Sequence, residues 1–311
     1  MAHVKTKPWQ SAKLTYLLVV SCWIIYAVLT LIAPQAAAAS YRLSSLQLIL
    51  LRLTVIVPIH LIWLIAAHGA VTLKRYAQMI QGAKEAAGIN HIADGLLWTL
   101  GYLIASSLLS AIVPFYINLP GYDALVILRD HLAPAMSLVA FWLLFQGSQE
   151  LKAVAKFDTW AGPTMWAVAG FAVIAFLLVL EFATAPVVAQ AQADLTSVSL
   201  VNHSILIYTL ILPYIVAWFL GVLACVNITK YSNRVGGVIY RRALRDVVIG
   251  LCLVITLAVT IQILSFASKF LLSLAVMPLL VVVYLLLFIY GLGFVFIRAG
   301  AKRLASIEVQ P

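Results

Sequence analysis

The chain has 311 residues, of which 64% are hydrophobic and only 10% charged, and its mean hydropathy is +1.08. Soluble domains run near 45–50% apolar and about 25% charged, so the composition excludes an ordinary soluble globular protein and points to a polytopic membrane protein. The formal charge of +10 would suit a nucleic-acid binder, but the Lys and Arg fall in short segments on alternate sides of apolar runs. That is a topology signal, so the expected partner is the lipid bilayer and not nucleic acid.

A bilayer core takes about 20 apolar residues per helix. On that ruler eight spans are predicted: 13–33, 46–68, 95–117, 124–147, 163–185, 204–226, 246–266 and 270–297. Sixteen of the twenty Lys and Arg fall on the side of the N-terminus, from Lys5, Lys7 and Lys13 through Lys74 and Arg241 to Arg298, Lys302 and Arg303. The opposite loops carry only Arg42 and Lys269. Both termini are therefore expected to be cytoplasmic, in a cytoplasmic membrane of the bacterial type. Cys22, Cys225 and Cys252 lie in apolar runs without C-x-x-C or His-Cys clustering, and read as small buried hydrophobes.

The first span ends in "IAPQAAAAS", which with its basic start resembles a secretory signal peptide. Its apolar run is longer than a usual h-region, and the fifth span ends on a similar pattern, "TAPVVAQAQAD". Cleavage is therefore not expected. The echo continues: Pro58, Trp63 and Tyr76 match Pro213, Trp218 and Tyr231 at an offset of 155, and Asp94 and Asp246 each stand near the start of the following span. The expected fold is all-α, two four-helix transmembrane units (1–155 and 156–311) in parallel repeat. In that reading Trp63 and Trp218 belong to an interfacial aromatic belt. Gly101-x-x-x-Ala105 and Ser106-x-x-x-Ser110 mark a close helix contact.

The fourth span carries "VILRDHLAP". Aligning Pro134 with Pro278, at an offset of 144, sets Ser273, Leu274 and Ala275 opposite Arg129, Asp130 and His131. The charges then belong to one half and are not a demand of the architecture. At a rise of about 1.5 Å per residue, Arg129 to His131 lie roughly 8–10 Å below the outer end of their helix. Arg52 lies roughly 9 Å down, and Glu181 and Gln262 about 6 Å. Four helices thus offer polar groups at one depth of the outer leaflet, where isolated charges are costly and should pair, face inward or meet water. A structural ion-pair network or snorkelling side chains would also place them there.

His60 falls roughly 21 Å into the second span. It reads as a neutral, hydrogen-bonded interface histidine, or as a relay step between the outer cluster and the cytoplasm. The segment 71–93 is mixed enough in polarity for an interfacial helix. The basic loop "NRVGGVIYRRALRD" suits anionic headgroups. Nucleotide-binding, zinc-protease and serine-hydrolase motifs are absent. No two histidines share a depth suited to one haem iron, so neither cofactor nor metal is expected.

The leading functional expectation is a small-solute or ion transporter, not an enzyme. Its outward-facing pocket would be built from Arg52, Arg129, Asp130, His131, Glu181 and Gln262, with a small anionic or carboxylate solute. One alternative is a non-catalytic membrane subunit or receptor that binds a partner or ligand. Another is an intramembrane enzyme acting on a lipid-like substrate through Asp130 and His131. The sequence leaves the oligomeric state open.

Overall fold

Long runs of Leu, Ile, Val and Ala can satisfy their backbone groups in lipid only by closing every hydrogen bond within the segment, which makes them helices. The computed structural model describes residues 8–32, 45–116, 122–156, 197–234, 237–268 and 276–307, and among these there is no strand. The helices are α1 (Pro8–Ile32), α2 (Ser45–Met79), α3 (Ala83–Ile112), α4 (Tyr122–Ala155), α5 (Ser197–Arg234), α6 (Val238–Ser268) and α7 (Val276–Ile307). A 3-10 turn, Val113–Tyr116, follows α3. The fifth predicted span, 163–185, lies outside the described residues.

Four stretches among the described residues are long and apolar enough to cross a membrane: Ala12–Ile32, Ile56–Met79, Ala83–Ile112 and Ile215–Arg234. Leu17 and Ile32 on α1 and Phe288 on α7 stand 65%, 62% and 70% exposed. Apolar faces of that size are wetted by lipid rather than by water. The chain is a helical membrane protein.

Helices α2 to α7 pack as a closed ring, each on its sequence neighbours and α7 back on α2, while α1 lies outside against α2 and α3. The helices run well past the predicted spans at the basic end. The expected interfacial helix over 71–93 does not exist: 71–79 continue α2, 83–93 begin α3, and a short turn at 80–82 joins them. The reason is burial. Leu73, Tyr76, Ala77, Ile89, Ile92 and Ala93 are all buried, and Lys74 pairs with Asp94 at 2.6 Å. Two antiparallel helices that cover each other's apolar faces have no need to lie on the membrane. Likewise the described residues of "NRVGGVIYRRALRD" are mostly helical, closing α5 and opening α6.

Two joints hold the ring most closely. A Cβ on Gly88 would meet the carbonyl oxygen of Gly147 at 2.9 Å, and one on Gly95 would meet that of Ala140 at 2.8 Å. Between α6 and α7, a Cβ on Gly300 would meet the Ala243 carbonyl at 2.5 Å, and Gly250 lies as tightly against Gly293. Backbones approach this closely only where side chains are absent or small. The contact expected at Gly101 is looser, its nearest neighbour being Met136 Cε at 3.5 Å. Trp63 is also displaced from its expected place. It is 1% exposed and lies 5.7 Å from Tyr26 by ring centroids, so it is a core residue that α1 covers rather than part of an aromatic belt.

Candidate functional site

Arg52 belongs to α2, Arg129, Asp130 and His131 to α4, and Gln262 to α6. All five fall in the helix segments farthest from the basic end. The side chains of Arg52, Arg129, Asp130 and Gln262, and the whole of Glu181, lie outside the described residues. His131 is half-buried and has an interaction partner.

His60 is half-buried on the α1-facing side of α2. Its ring lies 4.1 Å from that of Trp23, whose indole donates to the Ile56 carbonyl at 3.4 Å. Nδ1 of His60 is buried and has no hydrogen-bond partner. Stacking therefore holds the ring, in place of the hydrogen bond expected at that nitrogen. Two turns on, His68 faces α1 as well, with Nδ1 2.7 Å from the Tyr16 hydroxyl.

The best-defined polar cluster is one the sequence reading missed. Glu85, in the first turn of α3, accepts hydrogen bonds at one oxygen from Tyr231 of α5 (2.5 Å) and Tyr240 of α6 (2.7 Å). The two hydroxyls lie 3.3 Å apart. Tyr231 is fully buried and Tyr76 nearly so. A carboxylate in a first helical turn also gains from the exposed N–H groups there. Burial, then the neighbouring Tyr231, Tyr76 and Glu85, pushes the Tyr240 phenol far above its ordinary pKa. Only part of the cluster left a trace: Tyr76 and Tyr231 match at 155, while Glu85 and Tyr240 share that offset without matching in type. Four residues from two corresponding positions thus gather at the basic end.

Other polar contacts join the same parts. Asn227 of α5 donates to Ser148 of α4 at 3.2 Å in a buried site. Arg234 reaches the Lys156 carbonyl at 3.2 Å, satisfying an orphan group at the end of α4. His91 pairs with Glu150 between α3 and α4 at 3.0 Å, and Asp246 pairs with Arg303 between α6 and α7.

The contacts set a correspondence between the two joints. Gly88, Ile92 and Gly95 answer to Ala243, Val247 and Gly250 at an offset of 155; Ala140, Leu144 and Gly147 answer to Gly293, Ile297 and Gly300 at 153. The alignment through Pro134 and Pro278 at 144 is therefore not the one the packing follows. The corrected register sets Val282, Val283 and Tyr284 opposite Arg129, Asp130 and His131, and those positions still carry no charge.

The cysteines are not uniformly buried as expected. Cys225 is buried, Cys22 half-buried and Cys252 exposed. Cys225 and Cys252 both line the wall of a largely apolar groove of about 380 Å³ between α5 and α6. Among the described residues no group of three or more metal-ligating side chains converges. Comparison of the chain with known protein families, with characterised proteins and with solved structures finds no match.

Proposed function

We propose that the protein is a small-solute or ion transporter of eight spans. Its two four-helix units, 1–155 and 156–311, are related by a parallel repeat, and both termini are cytoplasmic. One observation carries this reading: the contacts of α3 with α4 recur, residue for residue, between α6 and α7. Units so related, by a symmetry axis along the membrane normal, rock against each other in many transporters, with the solute site at their interface.

The distribution of polar groups supports an outward-facing state. At the basic end the units are tied by Glu85 with Tyr231 and Tyr240, by Ser148 with Asn227, and by Arg234 with the end of α4. Hydrogen bonds of this kind contribute about 1 kcal/mol each, enough to hold a closed face and few enough to release it. Arg52, Arg129, Asp130, His131, Glu181 and Gln262 form the solute pocket at the far end. The arginines attract an anionic or carboxylate group, and Asp130, His131 and Glu181 balance or exchange protons.

Solute flux in proteoliposomes tests this. Anion or proton-coupled flux is expected in the wild type and is lost in Arg129→Ala and Asp130→Asn. Flux that is unchanged in both variants for every transported solute removes the pocket as the transport site.

A further inference from the structure

At the basic end, where α7 packs on α2 and Tyr16 of α1 bonds to His68, positive charge gathers around one unpartnered atom. Arg298 and Lys302 are four residues apart on α7, and His68 and Arg75 seven apart on α2, so each pair lies on one helix face. Arg75, Arg298 and Lys302 all act electrostatically on the His68 ring, and Arg75 and Arg298 also act on the Tyr16 hydroxyl. The helices come close because Gly69 has no side chain: a Cβ there would lie 3.5 Å from the Arg298 amide nitrogen.

Arg298 Nε is buried without a hydrogen-bond partner. Leaving a charged donor unsatisfied away from water is costly. Among the described residues no carboxylate answers it. The four whose side chains are described are engaged elsewhere: Glu85 with the tyrosines, Asp94 with Lys74, Glu150 with His91 and Asp246 with Arg303. The cluster is also no demand of the architecture. By the offsets of 155 and 153, the positions corresponding to His68, Arg298 and Lys302 are Leu223, Phe145 and Gln149.

We infer that this cluster binds a phosphate group, held by the Arg298 guanidinium with Lys302 and the His68 imidazole at its flanks. Arginine presents Nε and one terminal nitrogen as a fork that matches two phosphate oxygens. The Tyr16 hydroxyl and Nδ1 of His68 share a hydrogen bond at 2.7 Å, so Nε2 is the ring nitrogen left to meet the phosphate. The phosphate is supplied either by an anionic phospholipid of the leaflet at the basic end, where basic clefts between helices take headgroups, or by free phosphate. The inference is independent of the transport reading, because it concerns the opposite end of the bundle and is read by binding rather than by flux.

The test uses the full chain, delipidated in detergent. Native mass spectrometry measures retention of phosphatidylglycerol against phosphatidylcholine of equal acyl chains, and thermal unfolding measures the effect of inorganic phosphate. Wild type should retain phosphatidylglycerol in preference to phosphatidylcholine, and Arg298→Gln should lower that retention about tenfold, the size of one charge-assisted contact. Arg241→Gln, an exposed cation of the same end, should leave it unchanged. If the two lipids are retained equally but phosphate raises the Tm of wild type and not of Arg298→Gln, the site is supported with free phosphate as its ligand. Should Arg298→Gln fail to fold, Lys302→Gln, at an exposed position, takes its place with a loss of about threefold. The inference is overturned if neither phosphatidylglycerol nor phosphate distinguishes the variants from wild type.

Discussion

Between α3 and α4, Gly88 meets Gly147 and Gly95 meets Ala140; between α6 and α7, Ala243 meets Gly300 and Gly250 meets Gly293. Just beyond the small residues, the first joint carries His91 with Glu150 and the second Asp246 with Arg303. The positions correspond, and the acidic partner has changed sides. The two joints teach which constraint is strict. Backbone contact admits only the smallest residues, because a carbonyl oxygen has no rotamer by which to move away. The half-exposed polar pair needs one acidic residue and one donor but does not fix which helix carries which.

The strict constraint gives the largest predicted effect. Gly147→Val and Gly250→Val should each destabilise the bundle by about 3 kcal/mol, the upper range for overpacking, read as loss of the monodisperse folded fraction on heating in detergent. Gly101→Ala is the contrast: its neighbour is the end of a flexible Met, and the change should be neutral or stabilise by up to about 1 kcal/mol. Equal losses at Gly101 and Gly147 would break the distinction.

Glu85→Ala comes next. It leaves the Tyr231 and Tyr240 hydroxyls without their acceptor, at a cost of about 2 kcal/mol, whereas Glu85→Gln keeps an acceptor and should lose less than half of that in the same melt.

The permissive constraint gives smaller numbers. Arg303→Glu should cost about 1 kcal/mol or less, and Asp246→Arg added to it should restore stability, since a partly exposed pair is worth little in either polarity. A double-mutant cycle reads the coupling, and zero coupling would make the exchanged positions of the acidic partner incidental. Tyr240→Phe is comparable, with a pH signature. The folded protein raises the Tyr240 pKa, so the stability this phenol contributes is complete below its ordinary pKa of about 10 and falls as pH rises above it. Tyr240→Phe should flatten that alkaline decline, measured as Tm against pH.

Much of the fold was legible in the sequence because lipid leaves few options: an apolar run must be a helix, and seven of the eight predicted spans coincide with described helices. Boundaries were less legible. The hydrophobic ruler stops where polar residues begin, but α2 and α3 continue past that point, since each buries an apolar face on the other. The candidate outer site rested on depth along each helix. Depth places Arg52, Arg129 and Gln262 toward one end of the bundle, but it does not set side-chain direction. The Glu85 cluster was invisible for a related reason. Its members lie far apart in the chain, and Glu85 and Tyr240 correspond in position but not in chemistry.

The sequence by itself determined that this is a helical membrane protein and which runs become helices, because those properties follow from local composition and from the absence of water to pair with the backbone. It also held the match of Tyr76 with Tyr231. Only the tertiary structure decided which small residues meet at the two joints, and that Gly69 brings α2 against Arg298 of α7. Both depend on how closely two backbones approach at a glycine, a distance set jointly by two helices and written in neither alone.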